Sequence, residues 1–215
     1  MKERTVKLLE DFFEQHQDLC TIKPNIVDVC EILLHVYQNG GKVLICGNGG
    51  SCADSDHIVG ELMKGFLLKR PLAQKEQDSF QKYYGEQGES IAKKLQQGLP
   101  AISLNAHAAL LSAFSNDVDP ELVYAQQVMG YARNGDVVIG ISTSGNARNV
   151  TYAMMAAKVA GAVSIALTGR DGGRLATITD YCVIAPAQET YRIQEYHLAF
   201  YHLICAYVES ELFLC

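Results

Sequence analysis

GKVLICGNGGSCADSDHIVGELMKG, residues 41–65, decides the fold. Val43-Leu44-Ile45-Cys46 is a short apolar run that reads as a buried strand. The glycine-rich turn Gly47-Asn48-Gly49-Gly50-Ser51 follows, and then a helical pattern carrying His57 and Glu61. Strand, glycine turn and helix together aim backbone N–H groups and a helix N-terminus at an anion. His57 and Glu61 are four apart, so a helix sets both on one face, one turn beyond the loop. The stretch predicts a metal or proton-transfer site beside a phosphate cradle, although the same spacing also suits a surface ion pair.

The same rhythm continues downstream. Residues 101–104, 137–141, 163–167 and 181–184 read as strands; 106–115, 120–133, 146–160 and 189–213 read as helices, with Asp119 capping the second of these and Pro120 at its first position. Alternating strands and helices predict an α/β fold, a largely parallel sheet covered on both faces. Ligands of such sheets bind beyond the carboxyl ends of the strands. Upstream, residues 3–18 and a segment after Pro24, closed by Asn39-Gly40, have helical periodicity. They suit either helix–helix packing, with another subunit as one partner, or a plain helical cap on the sheet. Arg70-Pro71 is expected to break the helix that carries His57. Residues 72–99 are rich in Gln, Lys and Glu and read as an inserted helical flap, so that 1–215 forms one domain with a helical extension at 1–40.

Composition narrows the class. At 215 residues, 48% hydrophobic and 20% charged, the chain is an ordinary globular protein. A formal charge of −6 argues against nucleic acid as a partner. The start, MKERTVKLLEDFFEQ, is too charged for a signal peptide, and no run approaches the ~18 apolar residues of a membrane span. Seven cysteines, at 20, 30, 46, 52, 182, 205 and 215, form no CxxC pair, which favours a reducing, cytoplasmic setting.

A second anion loop stands at Ile141-Ser142-Thr143-Ser144-Gly145-Asn146, after a strand and before a helix. Three hydroxyls and a helix start make a phosphate site, or an ordinary serine/threonine cap. The final helix carries Gln194, Glu195, His197 and His202 among apolar residues. Histidine, carboxylate and amide oxygen suit zinc or another divalent metal. Gln194 and His202 are eight residues apart, about 12 Å along a helix axis. If both serve one metal, two copies of the helix contribute and the protein is an oligomer. Asn116-Asp117 suits a polyol contact or an Asx turn; Tyr191-Arg192 reads as packing and salt-bridge residues.

Taken together, CGNGGS at 46–51, His57-x-x-x-Glu61, Asn116-Asp117, GDVVIGISTSGN at 135–146, LTGRDGG at 167–173 and RIQEYH at 192–197 with His202 resemble the sugar isomerase (SIS) domain family, and within it the phosphoheptose isomerases. The resemblance implies a flavodoxin- or Rossmann-like three-layer sandwich and a homotetramer with active sites at subunit interfaces. It implies ketose–aldose isomerisation of a phosphosugar through a metal-stabilised enediol, with sedoheptulose 7-phosphate converted to D-glycero-D-manno-heptose 7-phosphate as the first expectation. Zinc, or another divalent metal, would be held by His57, Glu61, Gln194 and His202. Glu61 would move the proton and His202 act as complementary acid/base. Asn48, Gly49, Gly50, Ser51, Asn116, Asp117, Ser142, Thr143, Ser144, Glu61 and Gln194 would contact the substrate. Three features depart from those enzymes: Ala147 replaces a serine, Tyr191 an aspartate, and residues 72–99 a very short connection. The alternative is a non-catalytic SIS protein that binds a phosphosugar as a sensor, or a protein partner as the SIS protein associated with the DnaA initiator does.

Overall fold

The computed structural model describes residues 1–213. Five strands, β1 (Val43–Gly47), β2 (Ala101–Ser103), β3 (Val137–Ile141), β4 (Val163–Thr168) and β5 (Tyr181–Ile184), form one parallel sheet in the order β2-β1-β3-β4-β5. Alternate residues divide between two cores. Val43, Ile45, Val137, Ile139, Ile165 and Leu167 enter one; Leu44, Cys46, Val138 and Ala166 enter the other.

Helices α1 (Glu3–Gln15), α2 (Lys23–Gln38), α3 (Gly50–Met63) and α9 (Thr190–Leu212) cover the first core. Helices α5 (Ala108–Asp117), α6 (Val123–Tyr131), α7 (Arg148–Val159) and the short α8 (Leu175–Ile178) cover the second. The two N-terminal helices therefore pack inside the chain: α1 and α2 lie on α9, and α2 reaches the sheet at β5. In α9 the buried stripe Ile193, His197, Phe200, Tyr201 and Ile204 recurs at helical spacing, and each fully buried large apolar side chain there contributes about 1.5–3 kcal/mol.

Several boundaries differ from the sequence expectation. The helix carrying His57 ends at Met63, with Lys64 already extended, well before Arg70-Pro71. The cause lies in α9: the Glu209 carboxylate accepts hydrogen bonds from the backbone N–H groups of Phe66, Leu67 and Leu68 and from Arg70 Nε. Arg70 in turn donates to the carbonyls of Glu61 and Leu62, two of the orphan acceptors at the end of α3. The segment expected as a helix from Pro120 opens as a 3-10 turn, Pro120–Leu122, with the Asp119 side chain accepting from the Glu121 N–H. Asn116-Asp117 stand in the last turn of α5 rather than after it. Tyr191 is exposed rather than packed, while Arg192 does pair with Glu195.

Residues 74–92 (α4) are helical, as the insert was read, but broken at Gly85, whose φ of 58° and ψ of −138° reverse the chain. The second arm returns so closely that a β-carbon on Gly88 would meet the Phe80 carbonyl. Only Gly88 and Ala92 are buried in this hairpin.

Candidate functional site

Parallel register brings the carboxyl ends of β1 and β3 level, Gly47 beside Ile141, with Leu167 of β4 next in line. The loops that follow these strands therefore meet on one edge. The 142–146 loop is fixed from below: Ser142 N–H donates to Leu167 O, and Gly145 N–H returns to Ser142 O. Gly145 has φ 65°, and a β-carbon there would lie 2.0 Å from the carbonyl oxygen of Gly172. Only glycine permits this backbone-on-backbone contact. Ser142 is buried, whereas Thr143 and Ser144 are partly open. Ala147, the residue before α7, supplies no side-chain cap; within the first turn the Val150 N–H donates instead to Asn149 Oδ1.

The two loops are tied together. Asn48 and Asn149 exchange a pair of amide hydrogen bonds of 2.8 and 2.9 Å. Tyr124 Oη sits within reach of Gly47 O, Asn48 Oδ1 and Asn105 Oδ1, which joins the end of β2 to the first loop. Burial raises the Tyr124 phenol well above its ordinary range, so it acts as a neutral hydroxyl. Ser51 is buried in the first turn of α3, while Asn48, Gly49 and Gly50 are exposed at its mouth. Asn116 and Asp117 hydrogen-bond to each other at the exposed end of α5.

Helices α3 and α9 run side by side in the same direction: Gly50 faces Gln194 and His57 bonds Tyr201, each pair 144 residues apart. Three of the expected metal ligands gather along this seam. His57 Nε2 lies 3.3 Å from Glu61 Oε1, and the His57 and His202 rings meet edge to face with centroids 5.1 Å apart. The other Glu61 oxygen accepts from Lys64 Nζ at 3.0 Å. His202 also stacks obliquely on Phe66; its burial first, and then His57, lower its basicity, with Glu61 opposing. Gln194 is not with them. Its amide lies against Gly50 at the other end of the seam, two turns nearer the phosphate loops.

These donors fit a divalent cation in kind, two imidazoles and a carboxylate. In that set His57 Nε2 and Glu61 Oε1 face each other while His57 Nδ1 is held by Tyr201 Oη at 2.9 Å. Among the described residues, however, no group of three or more His, Cys, Asp or Glu is close enough to hold an ion. A cleft of about 450 Å³ opens beside His202, between α1, α9 and Phe66-Leu67, and its walls are mostly apolar. The sequence did not single out Asp54, Tyr124, Asn149 or Tyr201. Asp54, three before His57, was legible in principle as the same helical face; Tyr201 carries no local signal, and only the α3–α9 seam shows its hydroxyl turned to His57.

A family model described as "SIS domain" matches residues 98–210. The chain is 35% identical to the phosphoheptose isomerase of Aneurinibacillus thermoaerophilus, over 95% of this chain and 96% of that protein. It is 38% identical to that of Thermodesulfovibrio yellowstonii, over 98% of this chain and 89% of that protein. Among solved structures it is similar to phosphoheptose isomerase GmhA from Neisseria gonorrhoeae, with a TM-score of 0.72 at 31% identity, covering 96% of this chain and 94% of the other. The Francisella tularensis phosphoheptose isomerase gives 0.71 at 25% identity, covering 97% and 94%. The chain thus has full-length counterparts in proteins of one kind, and it belongs to the SIS domain family.

Proposed function

We propose that this chain is a phosphosugar ketose–aldose isomerase, with sedoheptulose 7-phosphate as its substrate. The observation that carries the reading is the convergence of His57, Glu61 and His202 on the α3–α9 seam, in a chain whose two anion loops share the adjoining sheet edge. Likeness to phosphoheptose isomerases over the whole length supports it.

In this reading the N–H groups and hydroxyls of Asn48–Ser51 and Ser142–Ser144 take the phosphate, which fixes the remote end and orients the reacting end. Glu61 removes a proton from C-1 of the ketose, and the carbon–oxygen double bond at C-2 becomes the carbon–carbon double bond of an enediol. Glu61 then returns the proton to C-2. His202 gives a proton to the C-2 oxygen and takes one from the C-1 hydroxyl, so the aldose leaves with no net change in protons. His57, Glu61 and His202 would hold a divalent cation, which when bound supplies Lewis acidity toward the sugar oxygens. Asn116-Asp117 would meet the sugar hydroxyls. Gln194, two turns from His202 in its own chain, would join such a site only from another copy of α9, so the reading includes an oligomer, with the apolar cleft beside His202 as its contact face.

The test is conversion of sedoheptulose 7-phosphate by purified protein, with added zinc and with chelator, beside Glu61→Gln. Metal-dependent turnover lost in the variant, with its circular dichroism intact, supports the reading. Tight binding of phosphosugars with no conversion across a panel overturns it in favour of a sensor.

A further inference from the structure

We propose that Tyr201 is a positioning residue that keeps the His57 proton on Nδ1 and so presents Nε2 as a bare lone pair to a cation shared with Glu61. The inference rests on the metal-assisted reading of the α3–α9 seam and adds to it a residue outside the expected ligand set.

The argument is one of hydrogen-bond direction. Tyr201 is almost wholly buried, at 2% exposure, and its hydroxyl stands between two partners: His57 Nδ1 at 2.9 Å and Asp54 Oδ1 at 3.4 Å. A phenol has one hydrogen to give, and an ionised carboxylate can only accept. Asp54 needs that hydrogen, for its second oxygen, Oδ2, is buried with no partner among the described residues. With the Tyr201 hydrogen directed at Asp54, Nδ1 of His57 must donate to the Tyr201 oxygen; otherwise two acceptors would meet at 2.9 Å. Which imidazole nitrogen carries the proton follows from the bond that the other makes.

The consequence falls on the other side of the ring. Nε2, left with its lone pair, faces Glu61 Oε1 at 3.3 Å. Two acceptors at that separation call for a cation between them. Without the arm from Asp54 through Tyr201, Nε2–H would donate to Glu61, and the pair would satisfy itself and shut out a metal. Tyr201 thus converts a self-satisfied ion pair into an open donor pair. Its ring holds the geometry as well, packed edge-on to His57 with centroids 5.4 Å apart, and phenylalanine would preserve that contact.

The experiment reads proton and cation separately, on metal-free full-length protein at pH 8. Nitrogen-15 NMR reports the His57 tautomer, and competition with a chelating indicator reports zinc affinity. Wild type is expected as the Nδ1–H tautomer, with Tyr201→Phe shifted toward Nε2–H and zinc binding weakened about 10- to 100-fold. Asp54→Ala frees the Tyr201 hydrogen for Nδ1 and is expected to move both readouts the same way, which serves if Tyr201→Phe folds poorly. Wild type found as Nε2–H overturns the proposal. So do variants with lower melting temperatures but unchanged tautomer and zinc affinity, because that is a packing role only. A tautomer shift on Tyr201→Phe, in a protein whose wild type binds no zinc, supports the hold of Tyr201 on the His57 proton while overturning the cation here and in the functional reading, so the two fail separately.

Discussion

Glu209 in α9 holds Arg70 at 2.7 Å with both side chains shut off from water. The same carboxylate gathers three consecutive backbone N–H groups, and the guanidinium covers two carbonyls of α3. Removing either partner leaves the other charge buried alone, which costs about 3–5 kcal/mol. Glu209→Leu and Arg70→Met are each expected to lose stability of that order in urea unfolding. The double variant is expected to lose less than the two single losses added together, since no lone charge remains. Glu209→Leu is expected to be the worse single change, because three N–H groups lose their acceptor.

Gly145→Ala tests how the second loop is built. The added carbon would meet the Gly172 carbonyl from a left-handed backbone, so strain alone costs roughly 1–3 kcal/mol. The loop is expected to shift before the core does. The melting temperature falls, and phosphosugar KM rises about tenfold or more if a single phosphate hydrogen bond is lost. An unchanged KM in a folded variant would remove the loop from phosphate binding.

His197 makes acid stability a defined quantity. It is fully buried in α9, its Nε2–H donates to Thr168 O, and burial pushes it down to about 4 from 6.5. Between these values the unfolded chain takes up a proton that the native one refuses. The neutral form's contribution is therefore whole above about pH 6.5 and drains away as pH falls toward 4, by about 3 kcal/mol over the window. Denaturation of wild type and His197→Gln at pH 7 and pH 4.5 checks this: the variant is expected to be less stable at pH 7 and to show a shallower loss.

The α4 hairpin is expected to be dispensable for folding. Its base is already stapled by the Pro71–Gln96 bridge and by Gln97, which donates to Arg70 O and Pro71 O. Replacing residues 75–91 with a short Gly/Ser turn shortens a loop at little entropic cost, so unfolding free energy is expected to stay within about 1 kcal/mol. A loss of several kcal/mol would show that α4 belongs to the core.

Sheet and helix order were legible from period and punctuation, because β1 and β3 are buried on both faces and read as unbroken apolar runs. The end of α3 was not, because the residues that set it, Arg70 and Glu209, are 139 positions apart. Of the site, both loops and the His57–Glu61 pair could be read from spacing. What was hidden is what stands beside them. Nothing local marks Tyr201, between Phe200 and His202, or Asn149, the partner of Asn48, as part of the site. Local pattern records period; the far strand or helix decides where a hydroxyl turns.

The parallel seam of α3 and α9 also sets a timetable. His57 and Glu61 emerge from the ribosome early, and the helix that completes their surroundings follows only after all five strands. Until residues 190–212 arrive, α3 has neither Tyr201 nor His202 beside it, and the Arg70 guanidinium has no counterion. A product truncated before α9 would therefore lack His202 beside His57 and be unable to close its core.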